Sequence, residues 1–226
     1  KNNNFYDIKS VLEKRHQHIS PILSLSYNNP IYMVRSAFQY MYDAYGNTFL
    51  DAYNNIPHVG HSHPKVVAAG QRQMAKLNTN TRYLYDQLSE YAEKLLSKFP
   101  ASLNNVYFVN SGSAASDLAI RIAKIHTDYE KLMVMEHGYH GHTQAATEIS
   151  DYKFNNPKGQ GQKDYILKTQ IPDTYRGKYT TNDENPGELY AKDAIDQIEN
   201  SDASIAAFIS EPIVGCAGQV PLADNY

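Results

Sequence analysis

Residues 106–142 read VYFVNSGSAASDLAIRIAKIHTDYEKLMVMEHGYHGH and decide the fold, because two short apolar runs flank one amphipathic segment. Within that segment Leu118, Ile122 and Ile125 lie on one face of a helix, which predicts a helix over residues 113–126. The apolar runs at 106–109 and 132–135 have the length of strands. A strand, a helix and a second strand in this order predict an α/β fold with a parallel sheet.

The same alternation extends in both directions along the chain. Downstream, strands are predicted at residues 165–167 and 205–209, and a helix is predicted at residues 189–198. The run 205–209 does not alternate between apolar and polar residues, which is typical of strands covered by helices on both faces. Upstream, a hairpin is predicted over residues 39–51, followed by helices over 64–77 and 84–99, the first beginning at Pro64. Residues 151–185 are rich in Asn, Gly, Lys and Pro and predict a long excursion, either functional or disordered.

Composition narrows the classes of function. With 226 residues, 42% of them hydrophobic, the chain has enough apolar side chains for a folded core, which excludes intrinsic disorder. A net charge of −3 argues against charge-driven binding to nucleic acid, and no apolar run reaches the roughly 18 residues of a membrane span. We therefore expect neither nucleic acid nor a membrane as a partner. The single cysteine, Cys216, fits a reducing compartment, and we expect a cytoplasmic protein.

Three segments that follow predicted strands carry candidate site residues. Ser111, Gly112 and Ser113 open the helix after the first strand, where free N–H groups and the helix dipole favour an anion; the alternative is a simple helix cap. Tyr139 follows the second strand and would either stack on a flat ligand or fill a gap. Glu211 follows strand 205–209 and would either act in catalysis or fix a loop. Because the carboxyl ends of parallel strands share one sheet edge, we expect these segments together.

Two histidine runs offer a competing interpretation. Residues 58–63 and 137–142 both have the spacing His-x-x-His-x-His, and zinc favours clusters of imidazole ligands. Neither run brings a nearby Asp or Cys ligand, and neither lies on a clear helix. We therefore expect no metal, and a zinc hydrolase is the weaker alternative.

The motifs Asn110-Ser-Gly-Ser, Tyr139-His-Gly and Ser210-Glu-Pro, in this order and spacing, resemble the class III pyridoxal-phosphate enzymes of fold type I. The resemblance covers residues 27–226. It is strongest to the ethanolamine-phosphate and phosphohydroxylysine phospho-lyase branch, on residues 54–64, 78–86, 136–143, 150–154 and 172–179. It implies a large domain with a mostly parallel sheet sandwiched by helices, plus the N-terminal segment of a smaller α+β domain. Residues 1–55 would belong to the small domain, and residues 56–226 would be the first part of the cofactor-binding large domain.

The resemblance also implies roles for individual residues. The cofactor would be pyridoxal 5′-phosphate, with its phosphate held by Ser111, Gly112 and Ser113. The pyridine ring would stack on Tyr139, and its edge would lie near Glu211. His140 and Gly141 would shape the same wall of the site as Tyr139. Apart from the resemblance, Arg82, Arg176 and Lys178 are candidates to bind the phosphate of the substrate, because a phosphate dianion needs positive partners; the alternative is that they belong to a solvated face. Asn55 and Tyr83 are further candidates for contact with the substrate. The active site is expected at the interface of a homodimer.

The sequence departs from the family's usual pattern at two positions. The family usually reads Ser-Gly-Ser-Glu-Ala-Asn where this chain has Ala114 and Ser116, so the side-chain contacts made from those positions are expected to differ. The family's Schiff-base lysine and the aspartate that pairs with the pyridine nitrogen are expected beyond Tyr226. No residue of this chain is therefore assigned as catalytic.

The function that the resemblance implies is elimination of phosphate from a phosphorylated amine such as ethanolamine phosphate, giving an aldehyde, ammonia and phosphate. The alternative on the same scaffold is a class III ω-aminotransferase, which passes the amino group to a keto acid. A non-catalytic fragment is a further alternative, because the chain resembles only the first half of such enzymes.

Overall fold

The computed structural model describes residues 7–54 and 58–226. Two compact units make up the chain, Lys1–Ser89 and Glu90–Tyr226. The domain boundary expected between residues 55 and 56 stays a prediction. Within the described ranges, no helix is both long enough and apolar enough to cross a membrane.

The first unit begins with helix α1 (Ile8–His18) and continues with a small antiparallel sheet. Its strands are β1 (Met33–Ala37), β2 (Tyr40–Asp43) and β3 (Thr48–Leu50), in the spatial order β1-β2-β3. The predicted hairpin is the β2–β3 pair, so that prediction is confirmed, whereas α1 and β1 were not predicted. Asp43 sets the turn, because its Oδ1 accepts the N–H groups of Tyr45 and Asn47 at 2.9 and 2.8 Å.

Both helices predicted after the hairpin are present. α2 (Pro64–Lys76) begins at Pro64 as predicted, since the fixed φ of proline suits the first helical turn. α3 (Asp86–Leu96) is shorter than the predicted range of 84–99. Leu84 is fully exposed before it, and residues 97–99 form a turn after it, so the apolar stripe extends beyond the helix at both ends.

The second unit is built around a parallel sheet. Its larger elements, in chain order, are α4 (Gly112–Thr127), β4 (Lys131–Met135), α5 (Gln144–Glu148), α6 (Asp151–Phe154), β5 (Ile166–Thr169), α7 (Pro186–Glu199) and β6 (Ile205–Ile209). The strands lie in the order β5-β4-β6, and residues 132–135 of central β4 are at most 1% exposed. A short antiparallel pair, β7 (Ile213–Val214) and β8 (Val220–Pro221), completes the chain. The predicted α/β alternation is thereby confirmed from α4 onward.

The strand predicted at residues 106–109 is not formed, so this prediction is wrong. A strand exists by pairing, and no described strand pairs with residues 106–109: β5 and β6 flank β4, and neither of these edge strands takes the run as a neighbour. Tyr107 is 72% exposed, while Phe108 stacks on Tyr91 of α3 with ring centroids 5.1 Å apart. Residues 106–109 therefore have the composition of a strand but lack a neighbouring strand in the described chain with which to pair.

The predicted excursion over residues 151–185 contains β5, which confirms the strand predicted at residues 165–167, and also α6, which was not predicted. Phe154 of α6 and Ile166 of β5 join Ile120 of α4 in the apolar cluster that packs on Leu132 and Val134. The excursion is therefore partly core. Only segments 155–165 and 170–185 within it lack helix and strand.

Candidate functional site

The three predicted segments meet, although only two of them follow strands, β4 and β6, and the third begins α4 without the strand predicted before it. Residues 136–143, which follow β4 and are called the β4 loop below, contact the N-terminus of α4: the His142 N–H donates to Ser113 Oγ at 3.0 Å. The same loop contacts the segment after β6, where Glu211 Oε1 accepts the Tyr139 N–H at 3.0 Å. The structure thus brings Ser113, Tyr139 and Glu211 into one connected site.

The N-terminus of α4 presents free donors to an open space. Ser111 is the N-cap residue, with extended backbone angles (φ −161°, ψ 161°), and its side chain accepts the Ala114 N–H at 3.1 Å. The N–H groups of Gly112 and Ser113 lie in the first turn, where a helix offers no backbone acceptor. A Cβ atom at Gly112 would meet nothing within 4 Å. Ser111 therefore caps the helix, and the donors beside it stay available for an anion.

The β4 loop is held in place by side chains from outside it. Besides the two bonds already described, the His137 N–H donates to Asp151 Oδ2 at 2.8 Å, and the His140 N–H donates to Ser150 Oγ at 2.8 Å. Ser150 and Asp151 are buried, at 0% and 1% exposure. The conformation of the loop is therefore imposed by the fold around it.

Glu211 fixes this loop through both oxygens of its carboxylate. Oε1 accepts the Tyr139 N–H, and Oε2 accepts the Gly215 N–H at 3.2 Å. A half-buried carboxylate at the end of an apolar strand is satisfied in this way by two backbone donors. Two roles were left open for Glu211, in catalysis or in fixing a loop, and these contacts show that it fixes the loop. That Glu211 also lies near the edge of a cofactor ring stays a prediction.

The Tyr139 side chain is half-buried among polar and aromatic neighbours. His142 and Tyr152 meet its ring at interplanar angles of 68° and 80°, and the Lys153 ammonium lies 5.4 Å from its centroid. Burial raises the pKa of the Tyr139 hydroxyl, and the nearby Cys216 adds to this effect. Tyr139 is therefore uncharged at neutral pH. Both of these described ring contacts are edge-on.

His140 and Gly141 continue the loop past the first turn of α4. Burial lowers the pKa of the His140 imidazole, and the Glu211 carboxylate opposes this only in part. His140 Nε2 is buried without a hydrogen-bond partner among the described residues. Gly141 has a φ of +135°, and a Cβ atom there would lie 2.6 Å from Ser113 Oγ. Glycine is therefore required where the loop crosses the helix N-terminus.

Ser116, one of the two departures from the usual family pattern, makes a definite contact. Its half-buried hydroxyl donates to the His140 carbonyl oxygen at 2.7 Å. Sequence reasoning missed this contact, as it missed those of Ser150 and Asp151, because each joins a side chain to a backbone group far along the chain. The signals in the sequence were the departure from the family pattern at position 116 and the resemblance over residues 150–154, and neither identifies a partner.

Three of the residues predicted to contact the substrate belong to the first unit. Asn55 lies outside the described residues. Arg82 and Tyr83 are exposed, and the backbone N–H of Arg82 donates to Asn80 Oδ1 at 3.0 Å. The Arg82 guanidinium is thus open to solvent in this chain, and its role toward a substrate stays a prediction.

The other two candidates lie in the second unit, in segment 170–185. Lys178 Nζ lies 2.6 Å from Asp193 Oδ2, and this hydrogen bond raises the Lys178 pKa. The exposed Arg176 places its guanidinium 5.2 Å from the centroid of the Tyr175 ring. Within the described part of the unit, no hydrogen bond joins either cation to the β4 loop or to the first turn of α4. Lys178 already has an anionic partner, whereas Arg176 is not paired with a carboxylate there.

The two histidine runs were the basis for considering a zinc site. In the part of the chain that the structure describes, no group of three or more His, Cys, Asp or Glu side chains is placed to hold a metal ion. His61 Nε2 lies 2.5 Å from Asp51 Oδ2. Hydrogen bonds lower the pKa of the Asp51 carboxyl; the one from the Asn54 N–H has the largest effect, and the one from His61 is next. The geometry of the described residues therefore gives the zinc hydrolase no support.

Comparison with known proteins finds similar chains. The family model Aminotransferase class-III matches residues 23–226. A Drosophila melanogaster protein named alanine–glyoxylate aminotransferase 2-like is 43% identical over 216 residues, covering 92% of this chain and 44% of that protein. A Caenorhabditis elegans protein named ethanolamine-phosphate phospho-lyase homolog 1 is 37% identical over 236 residues, covering 97% of this chain and 50% of that protein. The chain thus spans about half the length of the curated relatives it matches.

Solved structures share the fold. A phospholyase from Arthrobacter, in complex with phosphoethanolamine, matches with a TM-score of 0.83 at 32% identity, covering 96% of this chain and 51% of that one. An (S)-enantioselective omega-transaminase from Thermomicrobium roseum matches with a TM-score of 0.83 at 24% identity, covering 98% of this chain and 53% of that one. The predicted fold type I architecture is confirmed, and so is the similarity to the phospho-lyase branch.

Proposed function

Because the chain belongs to the class-III aminotransferase family, we propose that it carries the phosphate cradle and the ring wall of a pyridoxal 5′-phosphate site. The observation that supports this most directly is the hydrogen bond from the His142 N–H to Ser113 Oγ. It joins the open first turn of α4 to the loop that carries Tyr139. An anion site and an aromatic side chain thus belong to one connected structure, which is what a phosphorylated aromatic cofactor requires.

The first turn of α4 suits a phosphate group. The N–H groups of Gly112 and Ser113 are free of helical partners, and the dipole of this 16-residue helix favours negative charge at its start. Ser113 Oγ accepts one hydrogen bond from the loop and keeps its own proton to donate. The open space at Gly112 lets phosphate oxygens approach the backbone closely.

When bound, pyridoxal phosphate supplies an electron sink that stabilises negative charge on the carbon next to the substrate nitrogen. The residues of this chain would contribute binding and orientation. The first turn of α4 would anchor the phosphate, Tyr139 would support the ring, and His140 and Gly141 would exclude water from the same wall. Glu211 would act by holding the Tyr139 backbone, and we assign no proton transfer to these residues.

For the whole protein we propose elimination of phosphate from a phosphorylated amine such as ethanolamine phosphate. The Caenorhabditis elegans and Arthrobacter relatives, at 37% and 32% identity, carry names that refer to this chemistry. The Drosophila relative at 43% identity is named an aminotransferase, so transfer of the amino group to a keto acid is the second candidate.

Phosphate release separates the two reactions. Full-length protein supplied with pyridoxal phosphate and ethanolamine phosphate, with no keto acid present, is expected to release inorganic phosphate and an aldehyde. Amino transfer from an ω-amino acid to a keto acid, without phosphate release from ethanolamine phosphate, would support the aminotransferase instead. The proposed homodimer is tested on the same preparation by light scattering.

The substrate-binding candidates are tested by kinetics on the full-length protein. Arg82→Ala is expected to raise KM for ethanolamine phosphate and to leave cofactor affinity unchanged, because a phosphate dianion loses a cationic partner. Arg176→Ala provides the parallel test for segment 170–185, and Lys178, Asn55 and Tyr83 follow in the same series. Unchanged kinetics in a variant would remove that residue from the substrate site.

Gly112→Ala tests the cofactor cradle itself. Cα–Cβ bonds tilt toward the helix N-terminus, so the added methyl group would enter the space proposed for the phosphate. Because it would meet no protein atom within 4 Å, the stability of the fold should not decrease. We expect about tenfold weaker binding of pyridoxamine 5′-phosphate, the loss of roughly one good hydrogen bond to a charged group. Gly70→Ala in α2 is the matched control, since its added methyl group is equally unobstructed; equal affinity in both variants would contradict the cradle.

A further inference from the structure

Ser116 lies one turn into α4 and contacts the β4 loop. Its hydroxyl donates to the His140 carbonyl oxygen at 2.7 Å. On the other side of the same residue, the His140 N–H donates to Ser150 Oγ at 2.8 Å, at the N-cap of α6. The backbone of His140 is therefore fixed from two directions, and one of these is the helix that begins with the proposed phosphate cradle.

This contact connects the two parts of the proposed site. The first turn of α4 offers the phosphate donors, and the β4 loop carries Tyr139, the residue directly before His140. The bond between His142 and Ser113 also joins the loop to α4, but it acts on the other side of Gly141, which lies between His142 and Tyr139 in the chain. Ser116 is the side chain of α4 that restrains the loop on the Tyr139 side of that glycine.

We propose that Ser116 is a positioning residue, which holds Tyr139 at the distance from the phosphate cradle that pyridoxal 5′-phosphate requires. This inference rests on the proposed cofactor site. Ser116 acts through His140 and touches no ligand. The link is made by a short hydroxyl at a position where the family usually has asparagine.

Comparing the binding of a small and a larger ligand tests whether Ser116 positions Tyr139 or only supports anion binding at the cradle. Inorganic phosphate occupies only the cradle, whereas pyridoxamine 5′-phosphate adds a ring that reaches Tyr139 and has no aldehyde to react with lysines. In the full-length protein, Ser116→Ala is expected to weaken pyridoxamine 5′-phosphate binding about fivefold, the usual effect of one hydrogen bond. Affinity for inorganic phosphate, measured by competition, should stay unchanged. Ser116→Thr keeps the hydroxyl and should restore the affinity of the wild type.

A control and a coupling test accompany these measurements. Thr127→Ala removes another hydroxyl of α4, one that donates to the Ala123 carbonyl at 2.8 Å at the opposite end of the helix, and should change neither affinity. In a Tyr139→Ala background, Ser116→Ala should add no further loss, because the ring that Ser116 positions is absent. Urea midpoints of all variants show whether any loss follows from unfolding.

The outcomes distinguish failure of the proposed cofactor site from failure of the positioning role of Ser116. If the wild-type protein binds no pyridoxamine 5′-phosphate, the proposed function fails. If it binds and Ser116→Ala binds equally well, only the positioning role fails. Equal losses for pyridoxamine 5′-phosphate and inorganic phosphate, or an additive loss in the Tyr139→Ala background, would likewise overturn the positioning role.

Discussion

Removal of the Glu211 carboxylate should lower the free energy of unfolding, because this carboxylate fixes the β4 loop to the segment after β6. Its oxygens accept the N–H groups of Tyr139 and Gly215 at 3.0 and 3.2 Å. A hydrogen bond to a charged group contributes about 1.5–3 kcal/mol, and the partial exposure of Glu211 reduces each bond to about 1 kcal/mol. Glu211→Ala leaves both donors without this acceptor. We therefore expect the free energy of unfolding to decrease by about 2 kcal/mol.

Glu211→Gln makes the expectation more specific. The amide has one carbonyl oxygen, so it retains one of the two bonds and should lose about 1 kcal/mol. Urea unfolding at pH 7, followed by circular dichroism, measures both variants. Glu130→Ala is the control, because its carboxylate pairs with Lys124 at 2.8 Å but is 80% exposed, and it should cost less than about 0.5 kcal/mol. A loss in Glu211→Ala no larger than in this control would refute the anchoring of the β4 loop by Glu211.

Other substitutions test separate parts of the fold by the same urea assay. Asp151→Ala removes a buried carboxylate that pairs with Lys168 Nζ at 3.1 Å and should cost about 3 kcal/mol, whereas the exposed Asp202→Ala should cost under about 0.5 kcal/mol; similar costs would contradict this. Gly70→Ala should stabilise α2 by about 0.5–1 kcal/mol, because the methyl group meets nothing within 4 Å, and a loss of stability would speak against it. Burial lowers the pKa of His140, so the unfolded chain takes up a proton first as pH falls below about 6.5. The stability of the wild type relative to His140→Gln should therefore decline from pH 7.5 to pH 5.5, and a pH-independent difference would exclude this burial effect.

The elements that sequence reasoning found are those whose pattern is complete within the segment. α4 has its own apolar stripe, and β4 and β6 are apolar runs bounded by polar residues. Residues 106–109 have an equally strand-like composition but form no strand, because pairing depends on a neighbour and not on the segment alone. α5 and α6 span 5 and 4 residues, too few for a helical period to show.

The candidate site was predictable in its location but not in its connections. The rule for parallel sheets, applied with a predicted strand at 106–109, placed the α4 N-terminus, the β4 loop and Glu211 at one edge. The structure joins the three segments although that strand is not formed. The partners were not predictable, because they are backbone groups: Glu211 lies 72 positions from Tyr139, and a backbone N–H leaves no mark in the sequence. Ser116 shows the same limit, since only the fold reveals that its hydroxyl meets the His140 carbonyl.

The β4 loop is shaped by the protein itself, because its anchors belong to separate elements of the fold. Side chains from α4, from the start of α6 and from the segment after β6 hold its backbone between His137 and His142. A ligand that stacks on Tyr139 therefore avoids much of the cost of ordering this wall, which is about 0.5–1.5 kcal/mol for each side chain immobilised on binding. Ala114, the other departure from the family pattern, is also compatible with the proposed phosphate cradle. Its contribution to the first turn is a backbone N–H bonded to Ser111, which alanine supplies as well as glutamate does.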